Sequence, residues 1–254
     1  GVHSSYYKIW RYIMINSLST KFLISLSFFL NITILQSQKS DIWSDDNFTG
    51  LEFRSIGPAL MSGRISDIAI HPEDENTWYV TVGSGNVWKT QNSGITWDPI
   101  FDDQASYSIG CVTIDPNNPE VVWIGTGEDQ GGRHFGYGDG IYKSLDGGKN
   151  WTNMGLKNSE RISKILIHPK NSNIVWVAVQ GPLWSSGGQR GLYKTVDGGK
   201  NWKLVLKDNK WTGATEVILD PSNNKVMYAA LWQRHRTVAA YMGCLLYTSD
   251  AADD

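Results

Sequence analysis

Two short sequence markers recur along the chain with the same period and in the same order. The first is an apolar run closed by His-Pro or Asp-Pro: ISDIAIHP, IGCVTIDP, ISKILIHP and ATEVILDP, ending at Pro72, Pro116, Pro169 and Pro221. The residues before these prolines, His71, Asp115, His168 and Asp220, are separated by 44, 53 and 52 positions. A second marker follows each of the first three: TQNSGITW, SLDGGKNW and TVDGGKNW, ending at Trp97, Trp151 and Trp202, 54 and 51 apart. Two markers kept in phase over a period of about fifty residues identify one supersecondary unit used repeatedly. A sandwich with accidental similarity does not explain that phase.

Each unit reads as four strands. In the second, IGCVTI precedes the turn DPNNPE, then come VVWIGTG, a glycine-rich loop, GIYKS, the turn LDGGKN and WTNMG. β-Branched and aromatic runs bounded by Pro, Asn, Asp and Gly are the signal for strands and turns. Four antiparallel strands in a unit of this length predict a β-propeller blade, so the expected fold is all-β. About three and a half blades fit between residues 51 and 243. The composition agrees: 26 Gly and 12 Trp in 254 residues supply many turns and many large rings, against only 2 Cys.

The second marker has a structural rationale. Asp146 and Asp197 sit in tight turns, where a short carboxylate accepts backbone N–H groups. Gly148 and Gly199 supply backbone geometry that other residues resist. Trp151 and Trp202 are expected to bury their rings between blades. In the first unit Asn92 replaces the aspartate, while Gly94 and Trp97 keep the remainder. These residues are read as turn formers rather than as catalysts.

The marker S/T-x-D-x-G-x-x-W resembles the Asp-box, or bacterial neuraminidase repeat, found in sialidases, xyloglucanase-like hydrolases and sortilin-type receptor domains. The stretch FRSIGPALMSGRISDIAIHP with GSGNVWKT is similar to large secreted bacterial proteins described as sortilin-like or as glycosyl hydrolases. The resemblance covers roughly residues 48–243. It implies a propeller fold and leaves function open, because a fold hosts many chemistries and Asp-boxes lie away from the active site in the sialidases.

The two ends read differently from the repeat. Residues 1–13 precede Met14 and are expected to be upstream, non-native sequence. Residues 14–37 resemble a secretory signal: Lys21 is followed by an apolar run from Phe22 to Leu35, too short for a bilayer span of about 20 residues. A linker over 38–50 leads into the propeller at 51. From Cys244 the chain reads CLLYTSDAADD, which matches nothing before it and looks like translated sequencing adaptor. On that expectation native sequence stops at Gly243 and the chain is the front part of a longer protein. Without Asp250, Asp253 and Asp254 the net charge of −2 becomes +1, so neither value supports a polyelectrolyte partner. The expected location is secreted, periplasmic or cell-surface, with no stable membrane span after signal removal.

If the strands of a blade run A to D from centre to rim, the Asp-box turn and the A–B turn share one face. The B–C and D–A loops share the other. The first B–C loop is short, but the second runs from Gly125 to Gly140 and the third from Gln180 to Gly191. Long insertions in an economical repeat mark a functional face. They carry Glu128, Asp129 and Asp139, with Arg133, His134, Phe135, Tyr137 and Trp184; the fourth unit adds Trp232, Arg234, His235 and Arg236. Arg64 and Arg161 each lie seven residues before a marker histidine and are expected at the channel mouth.

Two functions follow. One is a sortilin-like propeller binding an extracellular glycan or peptide through Arg64, Arg133, His134, Phe135, Tyr137, Arg161, Trp184, Trp232 and Arg234. The alternative is a glycoside hydrolase, xyloglucanase-like or sialidase-like, which needs two suitably spaced carboxyl groups. Glu128, Asp129 or Asp139 would supply one. The sialidase version would need an arginine cluster for the substrate carboxylate, which Arg54, Arg64 and Arg161 could form. A phosphate loop is excluded because no Lys-Ser/Thr follows the glycines at 125–136. Scattered histidines and a lone native Cys111 predict no metal site and no cofactor. No basic block points to nucleic acid.

Overall fold

A computed structural model describes residues 63–129, 136–223, 225–238 and 241–247. Signal, linker and upstream expectations, Arg54, the loop residues Arg133, His134 and Phe135, and residues 248–254 lie outside the described residues. All described residues are strand, turn or loop, and no helix among them is long and apolar enough to cross a membrane.

The repeat becomes a series of antiparallel sheets. The first contains β1 (Ile65–His71), β2 (Asp74–Val82), β3 (Asn86–Thr90) and β4 (Asp98–Pro99), paired in that order. The second contains β5 (Ile109–Ile114), β6 (Val122–Thr126), β7 (Ile141–Ser144) and β8 (Thr152–Asn153). The third contains β9 (Ile162–His168), β10 (Asn171–Val179), β11 (Gly191–Thr195) and β12 (Lys203–Leu206). A fourth, three-stranded sheet holds β13 (Thr212–Leu219), β14 (Met227–Arg236) and β15 (Tyr241–Tyr247). These are the blades of a partial β-propeller, with A–D order as the sequence implied. β15 pairs with β14 as far as Ala230↔Tyr247, so backbone pairing continues four residues beyond Gly243, where the sequence pattern breaks.

The core lies between blades. Strand residues alternate faces with period two, so a strand sandwiched between blades is apolar on both sides. In β10, Val175, Val177 and Val179 pack with Trp123 and Ile141 of the second blade. The intervening Trp176 and Ala178 pack with Val217 and Leu231 of the fourth. The same layering joins Tyr79, Val87 and Phe101 to Val112, Ile124 and Tyr142. Ile165 and Ile167 are 1% and 4% exposed, whereas their counterparts Ile68 and Ile70 in the first blade are 51% and 55% exposed. Position in the array, not residue type, sets that difference.

Two polar contacts lock neighbouring blades. Trp151 donates its indole N–H to the Ile100 carbonyl at 2.7 Å, and Trp202 to the Met154 carbonyl at 2.8 Å. Trp97 does not reach another blade: its N–H turns back to Gly94 O and its ring meets Trp78. The second lock uses a lysine on each third strand. Lys89, Lys143 and Lys194 lie over the rings of Tyr79, Trp123 and Trp176, 5.1, 4.7 and 5.1 Å from the centroids. Lys89 Nζ then donates to Gly147 O at 2.9 Å and Lys143 Nζ to Gly198 O at 3.4 Å, each in the next blade's turn between third and fourth strands. Burial lowers the pKa of both ammonium groups.

The turn itself closes as expected. Asp146 Oδ1 accepts the Asn150 N–H at 2.9 Å and the Ser144 hydroxyl at 2.8 Å, while Oδ2 accepts the Asn150 side-chain amide at 2.7 Å. Asp197 repeats this with Asn201 and Thr195, and Asn92 Oδ1 accepts Thr96 N–H. Gly148 and Gly199 take φ of 94° and 98°, a region that L side chains avoid. Bonds from Asn150 and then Ser144 hold the Asp146 carboxyl down at about 2; Asn201 and Thr195 hold Asp197 lower still. The bonds to Asn150 and Asn201 are exposed, and those to Ser144 and Thr195 part-buried.

Because these carboxylates have a lower pKa folded than unfolded, their contribution is complete above an unfolded value of about 3.9. It disappears as pH falls toward about 2 at Asp146. Melting followed by circular dichroism from pH 5 to 2.5 should therefore show a shallower fall in Tm for Asp146→Asn than for the parent chain. Identical slopes would mean that the turn carboxylate does not couple folding to pH. Asp146→Ala is expected to lower the Tm at neutral pH as well.

Candidate functional site

Hairpin alternation puts the C–D turns, which hold Asp146 and Asp197, and the A–B turns at one end of each blade. Gly147 N–H donates to Glu120 O and Gly198 N–H to Asn173 O, tying those two turns together. The loops at the other end are free of this work. There the residue before each inner strand receives a backbone bond from the residue following or closing the second strand. Gly83 N–H donates to Arg64 O at 2.8 Å, Gly127 to Ser108 O at 2.7 Å and Gln180 to Arg161 O at 3.0 Å. Arg64, Ser108 and Arg161 thus occupy one repeated position.

Their side chains do different things. Arg64 reaches across to the second blade and forks onto Glu128, Nε to Oε1 at 2.5 Å and Nη2 to Oε2 at 2.7 Å. The Arg64 side chain is 49% exposed and Glu128 fully buried. Ser108 Oγ accepts the Glu128 N–H at 3.0 Å and sits 2.7 Å from Gly83 O. The Glu128 bond, more than opposing burial, raises the Arg64 pKa. Both oxygens of Glu128 are therefore engaged in a blade-to-blade ion pair.

Of the other carboxylates named from sequence, Asp139 accepts the Tyr142 hydroxyl at 2.6 Å and lies 3.4 Å from Thr126 Oγ1. Burial, then this bond, raises the Tyr142 pKa. Asp129 is half-buried, and its backbone carbonyl accepts Arg234 Nη1 at 3.0 Å. Arg234 is 2% exposed and lies 4.8 Å from the Trp232 ring centroid.

Arg161 is 1% exposed rather than open to the channel mouth. Its guanidinium lies 5.3 Å from the centroid of Tyr137 and pairs with Glu160 at 3.1 Å. Burial lowers its pKa against the opposing pull of Glu160. Among the described residues, Tyr137 and Trp184 are the open rings of the two long loops, 59% and 39% exposed; Arg236 stands 6.0 Å from Trp184. His235 stacks on Trp211 at 3.9 Å.

Sequence reasoning overlooked two residues here. Arg190 donates to the carbonyls of Gly187, Gln180, Trp211, Pro182 and Ser185, which fixes the loop after β10. Burial, then the charge of Arg234, lowers its pKa to about 10. Glu160 is the partner of Arg161; its only sequence signal is an acidic neighbour to an arginine at the repeated position. Among the described residues the face therefore offers three open rings, Tyr107, Tyr137 and Trp184, and a row of buried guanidinium groups, with Glu160 paired to Arg161 and Glu128 to the half-open Arg64. Among the described residues no cluster of His, Cys, Asp and Glu fits a metal ion.

No protein-family model matches the chain. It is 23% identical over 219 residues to a probable oligoxyloglucan-reducing end-specific xyloglucanase of Neosartorya fischeri, covering 78% of this chain and 24% of that protein. It is 25% identical over 207 residues to the xyloglucanase Xgh74A of Acetivibrio thermocellus, covering 70% and 23%. Among solved structures, an ancestral GH74 enzyme superposes with a TM-score of 0.54 at 19% identity, over 74% of this chain and 25% of that one. The chain spans about a quarter of the length of the curated relatives it matches. The structural likeness carries the propeller fold.

Removing Arg64 would leave the Glu128 carboxylate buried without its guanidinium. Arg64→Ala should cost about 1–3 kcal/mol in urea unfolding, the penalty of an orphaned buried polar group. Adding Glu128→Gln to that variant should recover part of the loss. Equal stability of the single and double variants would show that the ion pair does not join these blades.

Proposed function

We propose that this propeller belongs to a secreted, Asp-box-containing glycoside hydrolase of xyloglucanase type and holds a polysaccharide chain across its loop face. The observation that carries this reading is the pair of open rings, Tyr137 and Trp184, on the two long loops of adjacent blades. Such rings offer flat apolar surfaces for the C–H faces of pyranoses, while neighbouring polar groups fix orientation. Both curated relatives bear xyloglucanase names, which favours hydrolysis over the sortilin-like binding role. Arg133, His134 and Phe135 belong to the same proposed surface. A leader over residues 14–37 would direct export.

The binding-only reading retains one supporting observation. Glu128 has both oxygens on Arg64, and Asp139 is tied to Tyr142. A retaining or inverting mechanism needs a carboxyl pair free to exchange protons or attack carbon. Under the hydrolase reading, at least one member of that pair comes from outside Glu128, Asp129 and Asp139.

The deciding experiment offers xyloglucan, cellulose and a peptide panel to the full-length protein and measures reducing ends released alongside binding. Reducing-end release from xyloglucan is the expected outcome, with Trp184→Ala weakening binding at least severalfold. Glycan or peptide binding with no turnover of any polysaccharide would replace the hydrolase with the receptor.

A further inference from the structure

One residue of the loop face is held in a backbone conformation that connecting two blades does not require. Glu160 has φ of 53°, and across it the Arg161 N–H donates to Ser159 O at 2.6 Å. That places Glu160 at the centre of a left-handed γ-turn, a rare and strained conformation for a residue with a side chain. Its surroundings enforce it. The Gly138 N–H donates to Glu160 O at 2.8 Å, and Gly127, at φ 86°, lies where any Cβ would collide with that same carbonyl. Both ends of the long second-blade loop thus clamp one peptide unit.

The clamp keeps a carboxylate at the surface. Glu160 is 31% exposed, with Oε2 3.1 Å from Nη1 of the buried Arg161. Arg161 in turn lies against the open ring of Tyr137. Beside it, Arg161 Nε and Ser159 Oγ are buried without a hydrogen-bond partner among the described residues. Glu128 and Asp139 have their oxygens committed within the protein; Glu160 has one carboxylate oxygen without a partner among the described residues. Strain retained at an exposed polar residue is commonly a mark of function.

We infer that Glu160 is a saccharide contact: its carboxylate accepts hydroxyl hydrogens of a neutral pyranose stacked on Tyr137, and Arg161 is its positioning residue. This rests on the polysaccharide reading above and names the residue and the ligand chemistry within it.

Two substitutions separate contact from scaffold. Glu160→Gln keeps the shape and an acceptor oxygen for Arg161 while removing the charge, so its Tm should stay close to that of the parent; Glu160→Gly removes the carboxylate and suits a positive φ, a gain opposed by the cost of leaving Arg161 buried without its partner. Calorimetric titration of the full-length protein with xyloglucan-derived oligosaccharides should show Kd raised at least tenfold in both variants, with the Tm of Glu160→Gln close to that of the parent. Affinity unchanged in either variant overturns the inference and leaves the polysaccharide reading standing. Affinity lost together with a lowered Tm in both variants overturns it in favour of a purely structural Glu160–Arg161 pair. A folded parent chain that binds none of the oligosaccharides overturns both.

Discussion

The first blade is held to the second, and the second to the third, by a lysine lying over its own sheet's aromatic ring and capping the neighbour's turn. Lys89 over Tyr79 reaches Gly147 O, and Lys143 over Trp123 reaches Gly198 O. The arrangement gives the turn carbonyl a charged donor, which at Gly147 joins the Tyr79 hydroxyl, and gives a desolvated ammonium both a π-face and an acceptor. It works only if the Asp-box turn presents that carbonyl outward, which the side-chain bonds of Asp146 and Asp197 and the left-handed glycines secure. The indoles of Trp151 and Trp202 donate in the opposite direction, back to Ile100 and Met154. Two reciprocal bonds therefore flank each apolar layer between these blades, and the layers supply most of the burial.

That division of labour frees the opposite face. With register and turn geometry settled at the Asp-box end, the B–C loops can differ in length from blade to blade. Their content is organised by guanidinium groups: Arg64 ties the first blade to Glu128 of the second, and Arg190 gathers five carbonyls of its own loop and the next. Arg161 is sunk beneath Tyr137 with Glu160 as its counter-charge. Burying Arg161 and Arg190 so close to a surface is costly unless each is hydrogen-bonded; five carbonyls of the glycine-rich loops accept from Arg190, and the Glu160 carboxylate accepts from Arg161.

The repeat, the strand order and the turn chemistry of Asp146 and Asp197 were legible in the sequence because they are local: turn residues at fixed offsets and period-two apolar runs carry them. The equivalence of Arg64 and Arg161 was legible for the same reason, as both stand at a fixed distance from a marker histidine. Their different fates were not. Whether a repeated arginine stays half-open on a partner 64 positions away, as Arg64 does on Glu128, depends on which loop the neighbouring blade places beside it. Arg190 was hidden because its partners are backbone carbonyls, which every residue has. Glu160 was hidden because nothing in SER signals a γ-turn; the clamp from Gly127 and Gly138 exists only once the sheets are stacked. Exposure of Ile68 and Ile70 against burial of Ile165 and Ile167 is likewise a property of position in the array.

The central claim is that one face builds the propeller and the other meets the ligand. Hydrogen–deuterium exchange of the full-length protein with and without saturating xyloglucan oligosaccharide tests it most directly. Protection confined to residues 136–140, 154–161 and 180–190, with the Asp-box turns at 90–97, 144–151 and 195–202 unchanged, is the predicted result. Protection of the Asp-box turns with the loops unaffected would contradict the account.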